Sequence, residues 1–300
     1  MSPGTIAYRG RFAPSPTGPL HFGSLVAALG SYLQARSAGG EWYVRIEDID
    51  PPREVPGASD DILRTLESYG LNWDSEVVYQ SQRTDHYSSA LRNLEREGLA
   101  YPCSCTRREI REHNARHRGR ATTVYPGLCR SGPLRPDRDT AYRLRITGNR
   151  IEFADQEVGV FAMHLREDCG DFVLKRRDGL FAYQLAVVVD DADQQITEVV
   201  RGQDLLDSTP GQIYLQRVLG LPTPGYMHLP LVRNDAGQKL SKQTGARPLT
   251  TAEAPSTLHA ALCFLGLSPS ADLRNAAVGE IVDWGVRHWS CRTPSAGIPD

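Results

Sequence analysis

The 300-residue chain has no apolar stretch approaching the roughly 20 residues of a membrane span, and its first ten residues, MSPGTIAYRG, contain no hydrophobic signal core. The expectation is a soluble, unexported, cytoplasmic protein, with a monomer as the working assumption. Bulk charge is also missing. A formal net charge of -2 excludes a protein that coats nucleic acid by overall charge, so any such contact must come from a local patch. Six cysteines without an export signal read as thiols or metal ligands rather than as a disulfide framework. No internal repeat is visible. What is present, 40% hydrophobic and 23% charged residues, suffices for one large domain or two modest ones.

Residues 6–12 read as a short strand that runs into the Pro-rich turn APSPTGP, and a helical stretch from His21 to Ser37 closes on Gly39-Gly40. Residues 42–46 alternate as a strand does. Helical patterns follow at 59–69 and 84–97, with a short strand at 77–79 between them. Strands alternating with helices predict a parallel α/β sheet. Residues 103–150 interrupt that rhythm like an insertion. Between Arg107 and Arg150 stand twelve Arg and no Lys against four acids, so this segment carries eight excess positive charges and the rest of the chain is net acidic. The runs 182–189 and 196–200, a helix at 210–219 and a strand at 228–232 restore the alternation. The tail turns helical from Thr251 and ends in the loose TPSAGIPD.

In RFAPSPTGPLHFGS, a turn stiffened by Pro14, Pro16 and Pro19 joins a strand to a helix that opens near His21. Backbone N–H groups and an imidazole then meet at one helix N-terminus, which is an anion site. Gly18 and Gly23 allow close backbone approach, and His21 can donate to a phosphoryl oxygen as charge grows there. A nucleoside triphosphate fits that chemistry. Some two hundred residues later, KLSKQ places Lys239 and Lys242 in a loop after the turn NDAGQ.

Together the two motifs resemble the HIGH and KMSKS signatures of class I aminoacyl-tRNA synthetases in their glutamyl/glutaminyl form. The resemblance implies a Rossmann-like α/β core in which a substrate carboxylate attacks the α-phosphorus of ATP and expels pyrophosphate, with Mg2+ accompanying the ATP. It assigns His21, Gly23, Lys239 and Lys242 to catalysis, and His21, Gly23 and Lys242 to ATP binding. Lys242 takes the part of stabilising the pentavalent state at phosphorus.

A glutamate substrate asks for arginine at its side-chain carboxylate and for a carboxylate at its ammonium. Arg11 opens the first motif, Arg201 lies just beyond a strand in EVVRGQD, and Tyr183 in DGLFAYQLA can add a hydroxyl donor. Glu47 in VRIEDID would meet the ammonium, with Ser15 nearby. These segments resemble the glutamate-contacting segments of glutamyl-tRNA synthetases, so the similarity covers most of residues 8–243. Glutamine, with a neutral amide, would forfeit a charge-assisted pair.

Cys103, Cys105 and Cys129 supply three soft ligands inside the basic segment, where zinc takes four in a tetrahedron. On ligand chemistry alone His113 or His117 would complete the set. The C-x-C…Y-x3-C pattern of the glutamyl-synthetase relatives points to Tyr125 instead, implying one structural Zn2+. Cys169, Cys263 and Cys291 lack partners at ligand spacing.

Glutamyl-tRNA synthetases carry a large anticodon-reading domain after the KMSKS loop, and the 57 residues beyond Gln243 are too few for one. The resemblance is closer to a paralogue group similar to the bare catalytic core. Such enzymes activate L-glutamate without tRNA and transfer it to the cyclopentenediol of queuosine at the wobble position of tRNA(Asp). The basic stretch would then bind anticodon-stem phosphates. The implied organisation is a first catalytic half over 1–102, a basic zinc-containing insertion over 103–165, a second catalytic half with the lysine loop over 166–243, and a short helical C-terminal region over 244–300. Three rivals stay open: a truncated glutamyl-tRNA synthetase charging the 3' end of tRNA(Glu), a silent RNA-binding paralogue, and a nucleotidyltransferase with the same phosphate turn.

Overall fold

The computed structural model describes residues 7–119, 122–148, 150–234, 237–240 and 245–291. Strands β1 (Arg9–Phe12), β2 (Glu41–Ile46) and β3 (Val78–Tyr79) form one parallel sheet in that order. Helix α1 (Phe22–Ser37) crosses between β1 and β2. It is apolar nearly all round, burying Leu25, Val26, Leu29 and Leu33, because other elements cover it on more than one side. Helices α2 (Ala58–Ser68) and α3 (Thr84–Arg96) follow, each burying a single stripe.

The predicted interruption has more regular structure than its sequence rhythm suggests. Strand β4 (Ala100–Cys103) precedes helix α4 (Arg107–Arg118), whose start is fixed by a reciprocal cap: Glu109 N–H donates to Thr106 Oγ1 at 3.1 Å, and Thr106 N–H to Glu109 Oε2 at 2.8 Å. Strand β5 (Ala141–Leu144) pairs antiparallel with both β4 and β8 (Val173–Lys175), in the order β4-β5-β8. Strand β6 (Arg150–Asp155) forms a hairpin with β7 (Gly159–His164).

Helix α5 (Tyr183–Asp193), strand β9 (Glu198–Gly202), helix α6 (Thr209–Leu219) and strand β10 (Gly225–Leu229) continue the alternation. Strands β9, β10 and β6 run parallel, with β7 antiparallel at the edge, in the order β7-β6-β10-β9. The two parallel sheets adjoin at β1 and β9, where Thr197 N–H donates to Arg9 O at 2.9 Å. Helices α7 (Ala254–Phe264) and α8 (Val278–His288) pack on α1 and close the first core.

Three differences from the sequence reading have physical reasons or limits. The last strand ends at Leu229 rather than running from 228 to 232, because Pro230 follows and cannot donate to a ladder. Arg201, expected just beyond a strand, lies inside β9, where it pairs in register with His228 of β10. The first strand starts at Arg9, and residue 6 lies outside the described residues. No described helix is long and apolar enough to cross a membrane.

Candidate active site

Most of the segments expected to carry chemistry leave their strands at the same end of the parallel sheets. Residues 13–21 follow β1, Glu47 follows β2, Gln203 and Asp204 follow β9 and Pro230–Val232 follow β10. Ligands of open α/β sheets bind outside the carboxyl ends of the strands. Two adjoining cavities lie there, of about 730 and 880 Å³, and both are lined by Ser15, Thr17, Arg53, Asp204 and Lys239.

The first cavity is lined by Pro14, Gly18, His21 and Gly23 from the Pro-rich turn and by Leu240 from the start of the lysine loop. His21 is the N-cap of α1: its backbone N–H donates to Ser24 Oγ at 2.9 Å, and its Nδ1 accepts from Ser24 N–H at 3.3 Å. Nδ1 is thereby the acceptor, so the neutral ring carries its proton on Nε2. A Cβ at position 23 would sit 3.1 Å from the imidazole Cε1, which is why glycine follows the histidine by two. Lys239 Nζ pairs with Asp204 at 2.5 Å. Thus His21, Gly23 and Lys239 meet at one cavity, whereas Lys242 lies outside the described residues.

The second cavity gathers Arg11, Ser15, Glu47, Tyr183 and Arg201. The two arginines differ in their partners. Arg11 Nε donates to Asp191 Oδ1 at 3.1 Å, and Arg45 Nη1 reaches the same oxygen at 2.8 Å while Arg45 Nη2 lies 3.3 Å from Glu47 Oε1. Burial of these charges is tolerated because they are paired. Burial pushes Glu47 above the usual carboxylate value, against the pull of Arg45 and Arg11. Arg201 instead donates to Tyr183 Oη at 3.1 Å and to three further neutral acceptors.

The metal set stands apart from both cavities. Cys103, Cys105, Cys129 and Tyr125 are all buried, and with Tyr101 and Ile110 they make up the smallest hydrophobic core. Tyr125 Oη lies 3.2 Å from Cys103 Sγ and 3.7 Å from Cys105 Sγ, and the Cys105 and Cys129 sulfurs are 3.5 Å apart. Tetrahedral zinc with Zn–S bonds of about 2.3 Å separates its sulfurs by about 3.7 Å, so the donor spacing fits. The three cysteines form a group able to hold a metal ion. Burial pushes the Cys105 thiol up to about 12 and raises the Tyr125 phenol further. Cys129 comes down to about 7, since hydrogen bonds from Tyr125 and from backbone N–H groups outweigh its burial. Arg143 adds positive charge, its Nε donating to Cys103 Sγ at 3.3 Å and its guanidinium lying 4.0 Å from the Tyr125 ring centroid. His113 and His117 stack on each other at 4.2 Å on α4.

Several of the twelve arginines are committed inside the fold. Arg130 pairs with Asp171 at 2.6 Å, Arg143 braces Cys103, and Arg145 donates to the carbonyls of Gly98 and Arg130. Arg108, Arg116 and Arg138 remain exposed in weak pairs with Glu112 and Glu109. Arg107, at the start of α4, lines the second cavity.

Sequence reasoning gave no part to Asp191, Arg45, Asp204, Arg143, Asp155 or His228. Asp191 ends the apolar run LAVVVDD and was the easiest to find, since a buried acid in an apolar helix requires a cation.

A family model described as tRNA synthetases class I (E and Q), catalytic domain, matches residues 7–274. The chain is 52% identical over 283 residues to the glutamyl-Q tRNA(Asp) synthetase of Ectopseudomonas mendocina (strain ymp), spanning 94% of this chain and 93% of that one. It is 54% identical over 283 residues to the protein of the same name from Dechloromonas aromatica (strain RCB), spanning 94% of each. A solved glutamate tRNA ligase from Elizabethkingia meningosepticum, in complex with its amino acid, superposes with a TM-score of 0.76 at 27% identity. That match covers 92% of this chain and 64% of the ligase, so the chain spans just under two thirds of the ligase's length.

Proposed function

We propose, for a chain that belongs to the glutamyl-Q tRNA(Asp) synthetases within the class I glutamyl and glutaminyl synthetase family, that it activates L-glutamate with ATP and transfers it to queuosine of tRNA(Asp). The observation that carries this reading is the junction of the two cavities. One is built around a helix N-terminus, the other around two arginines, a tyrosine and a carboxylate, and Ser15 and Lys239 line both.

ATP places its phosphates at the start of α1, where His21 and backbone N–H groups meet charge as it develops. Glutamate lies in the second cavity, its side-chain carboxylate toward Arg201, Tyr183 and Arg11 and its ammonium toward Glu47. An oxygen of the α-carboxylate attacks the α-phosphorus, the bond to the leaving oxygen breaks, and pyrophosphate departs. Lys239 and Lys242 of the loop stabilise the crowded phosphorus. A hydroxyl of the cyclopentenediol then attacks the acyl carbon, AMP leaves, and the hydroxyl proton passes to solvent. No protein nucleophile is needed, so the protein's contribution is positioning and charge. Mg2+ would arrive with ATP and neutralise its phosphates.

The four donors Cys103, Cys105, Cys129 and Tyr125 would hold one zinc ion, which would supply the positive charge that keeps buried thiolates ionised. Its part is structural, stapling the small core from which α4 starts. The exposed arginines of α4 and Arg107 would meet tRNA phosphates.

Labelled glutamate offered with ATP and tRNA from cells with and without queuosine tests the acceptor. Label is expected only on the queuosine-containing pool. Equal labelling would move the acceptor to the tRNA 3' end and leave glutamate activation standing.

A further inference from the structure

Arg201 is a buried cation, 6% exposed, whose hydrogen bonds among the described residues all go to neutral groups. Its Nε donates to His228 Nε2 at 3.2 Å, one Nη1 N–H to Tyr183 Oη at 3.1 Å, and Nη2 to Thr209 Oγ1 and Gln212 Oε1 at 2.8 Å each. These bonds use four of the five guanidinium N–H groups and leave one on Nη1 at the wall of the second cavity. A buried charge without a counter-charge is costly, and the carboxylate of a bound substrate supplies the missing one. A carboxamide does not.

The orientation of that guanidinium is set from behind. His228 is fully buried on β10. Its Nδ1 lies 2.6 Å from Asp155 Oδ2, and its backbone N–H donates to Asp155 Oδ1 at 3.2 Å. Asp155 Oδ1 also accepts the N–H groups of Glu157 and Val158 at 3.0 Å, which fixes the carboxylate in place. An ionised carboxylate only accepts, so the imidazole proton is on Nδ1. The lone pair on Nε2 is then the acceptor for Arg201 Nε, and Thr209 Oγ1, 3.0 Å from Nε2, gives its own proton to Leu205 O at 3.3 Å. The opposite tautomer would set an N–H against an N–H.

We propose that Asp155 and His228 are positioning residues for substrate selection: through this hydrogen-bond chain they hold the Arg201 fork on the side-chain carboxylate of the amino acid and so set the preference for glutamate over glutamine. This rests on the reading above, in which Arg201 binds that carboxylate. Neither residue touches substrate, and both act through Arg201.

Two substitutions at position 228 separate the two ends of the ring. His228→Gln keeps an acceptor where Nε2 stands; His228→Asn keeps a donor where Nδ1 stands and leaves Arg201 Nε without its partner. ATP-pyrophosphate exchange measured with glutamate and with glutamine reads the difference. In His228→Asn the KM for glutamate is expected to rise at least about tenfold, the usual scale for losing a hydrogen bond to a charged group, with the KM for ATP unchanged. The glutamate-to-glutamine ratio of kcat/KM falls by a similar factor, and His228→Gln restores most of both. If His228→Asn does not fold, Asp155→Asn, which frees the tautomer, carries the same expectation for the ratio. An unchanged ratio in folded variants, or KM values for glutamate and ATP that rise together, would overturn the proposal. A wild-type protein with no glutamate-dependent exchange would instead remove the underlying reading, so the two failures are distinct.

Discussion

At Glu47, burial and charge oppose one another. Burial disfavours the carboxylate, Arg45 and Arg11 favour it, and Asp191 adds repulsion, so the group titrates above its ordinary 4.5. An ammonium arriving with the substrate needs the ionised form. As pH falls, the KM for glutamate should therefore climb from a point above 4.5, earlier than an ordinary glutamate would cause, and Glu47→Gln should raise KM but flatten that climb. Exchange kinetics across pH measure both. The residues of this cavity were legible because Arg11, Ser15, Glu47, Tyr183 and Arg201 each sit in a contiguous motif beside a strand end or helix start. Asp155 and His228 were not. They stand 73 positions apart in different segments that share no motif, and only the fold brings them to 2.6 Å.

Among the elements, those around the cysteine cluster rely on an unusual backbone position at Gly170. Gly170 has φ +66° and forms an isolated bridge with Tyr125; a Cβ there would lie 2.6 Å from Tyr125 O and 2.7 Å from Tyr125 N. Gly170→Ala should therefore displace the phenol from the three thiols and cost about 2 kcal/mol or more, combining strain at positive φ with overpacking. Elemental analysis of protein purified without chelator should show less zinc per chain in the variant than in the wild type, and chelator should lower the wild-type Tm more than the variant's. Retention of a full equivalent in the variant would show that the phenol is dispensable. Most elements were readable from period and punctuation: the Gly39-Gly40 stop of α1, the Pro-rich turn before it, and the amphipathic stripes of α2 and α3. Strands β4 to β8 were harder to read. Short strands among arginines carry little alternation, and their partners are set by tertiary pairing rather than by local pattern.

For the molecule as a whole, His228 contributes one part of the response to acid. Burial lowers its pKa below 6.5, Arg201 and Arg11 act in the same sense, and Asp155 opposes them. The unfolded chain thus binds a proton that the folded one refuses. The stability contributed by the neutral ring is complete above the unfolded value of 6.5 and declines as pH falls from there toward the depressed folded value. Thermal unfolding followed from about pH 7.5 down to about pH 5.5 should show a fall in Tm that is shallower in His228→Gln. Equal slopes would mean that folding leaves the pKa of the ring unshifted.

The parallel pairing of β6 with β10, through Asp155 and Tyr226, makes the interrupting segment more than an appendage. A minimised enzyme made by excising everything from 103 to 165 would remove two strands, β6 and β7, from the sheet and the carboxylate behind Arg201 along with the cysteine cluster. Shortening that reaches β6 is therefore expected to lower the preference for glutamate over glutamine before it alters the nucleotide cavity.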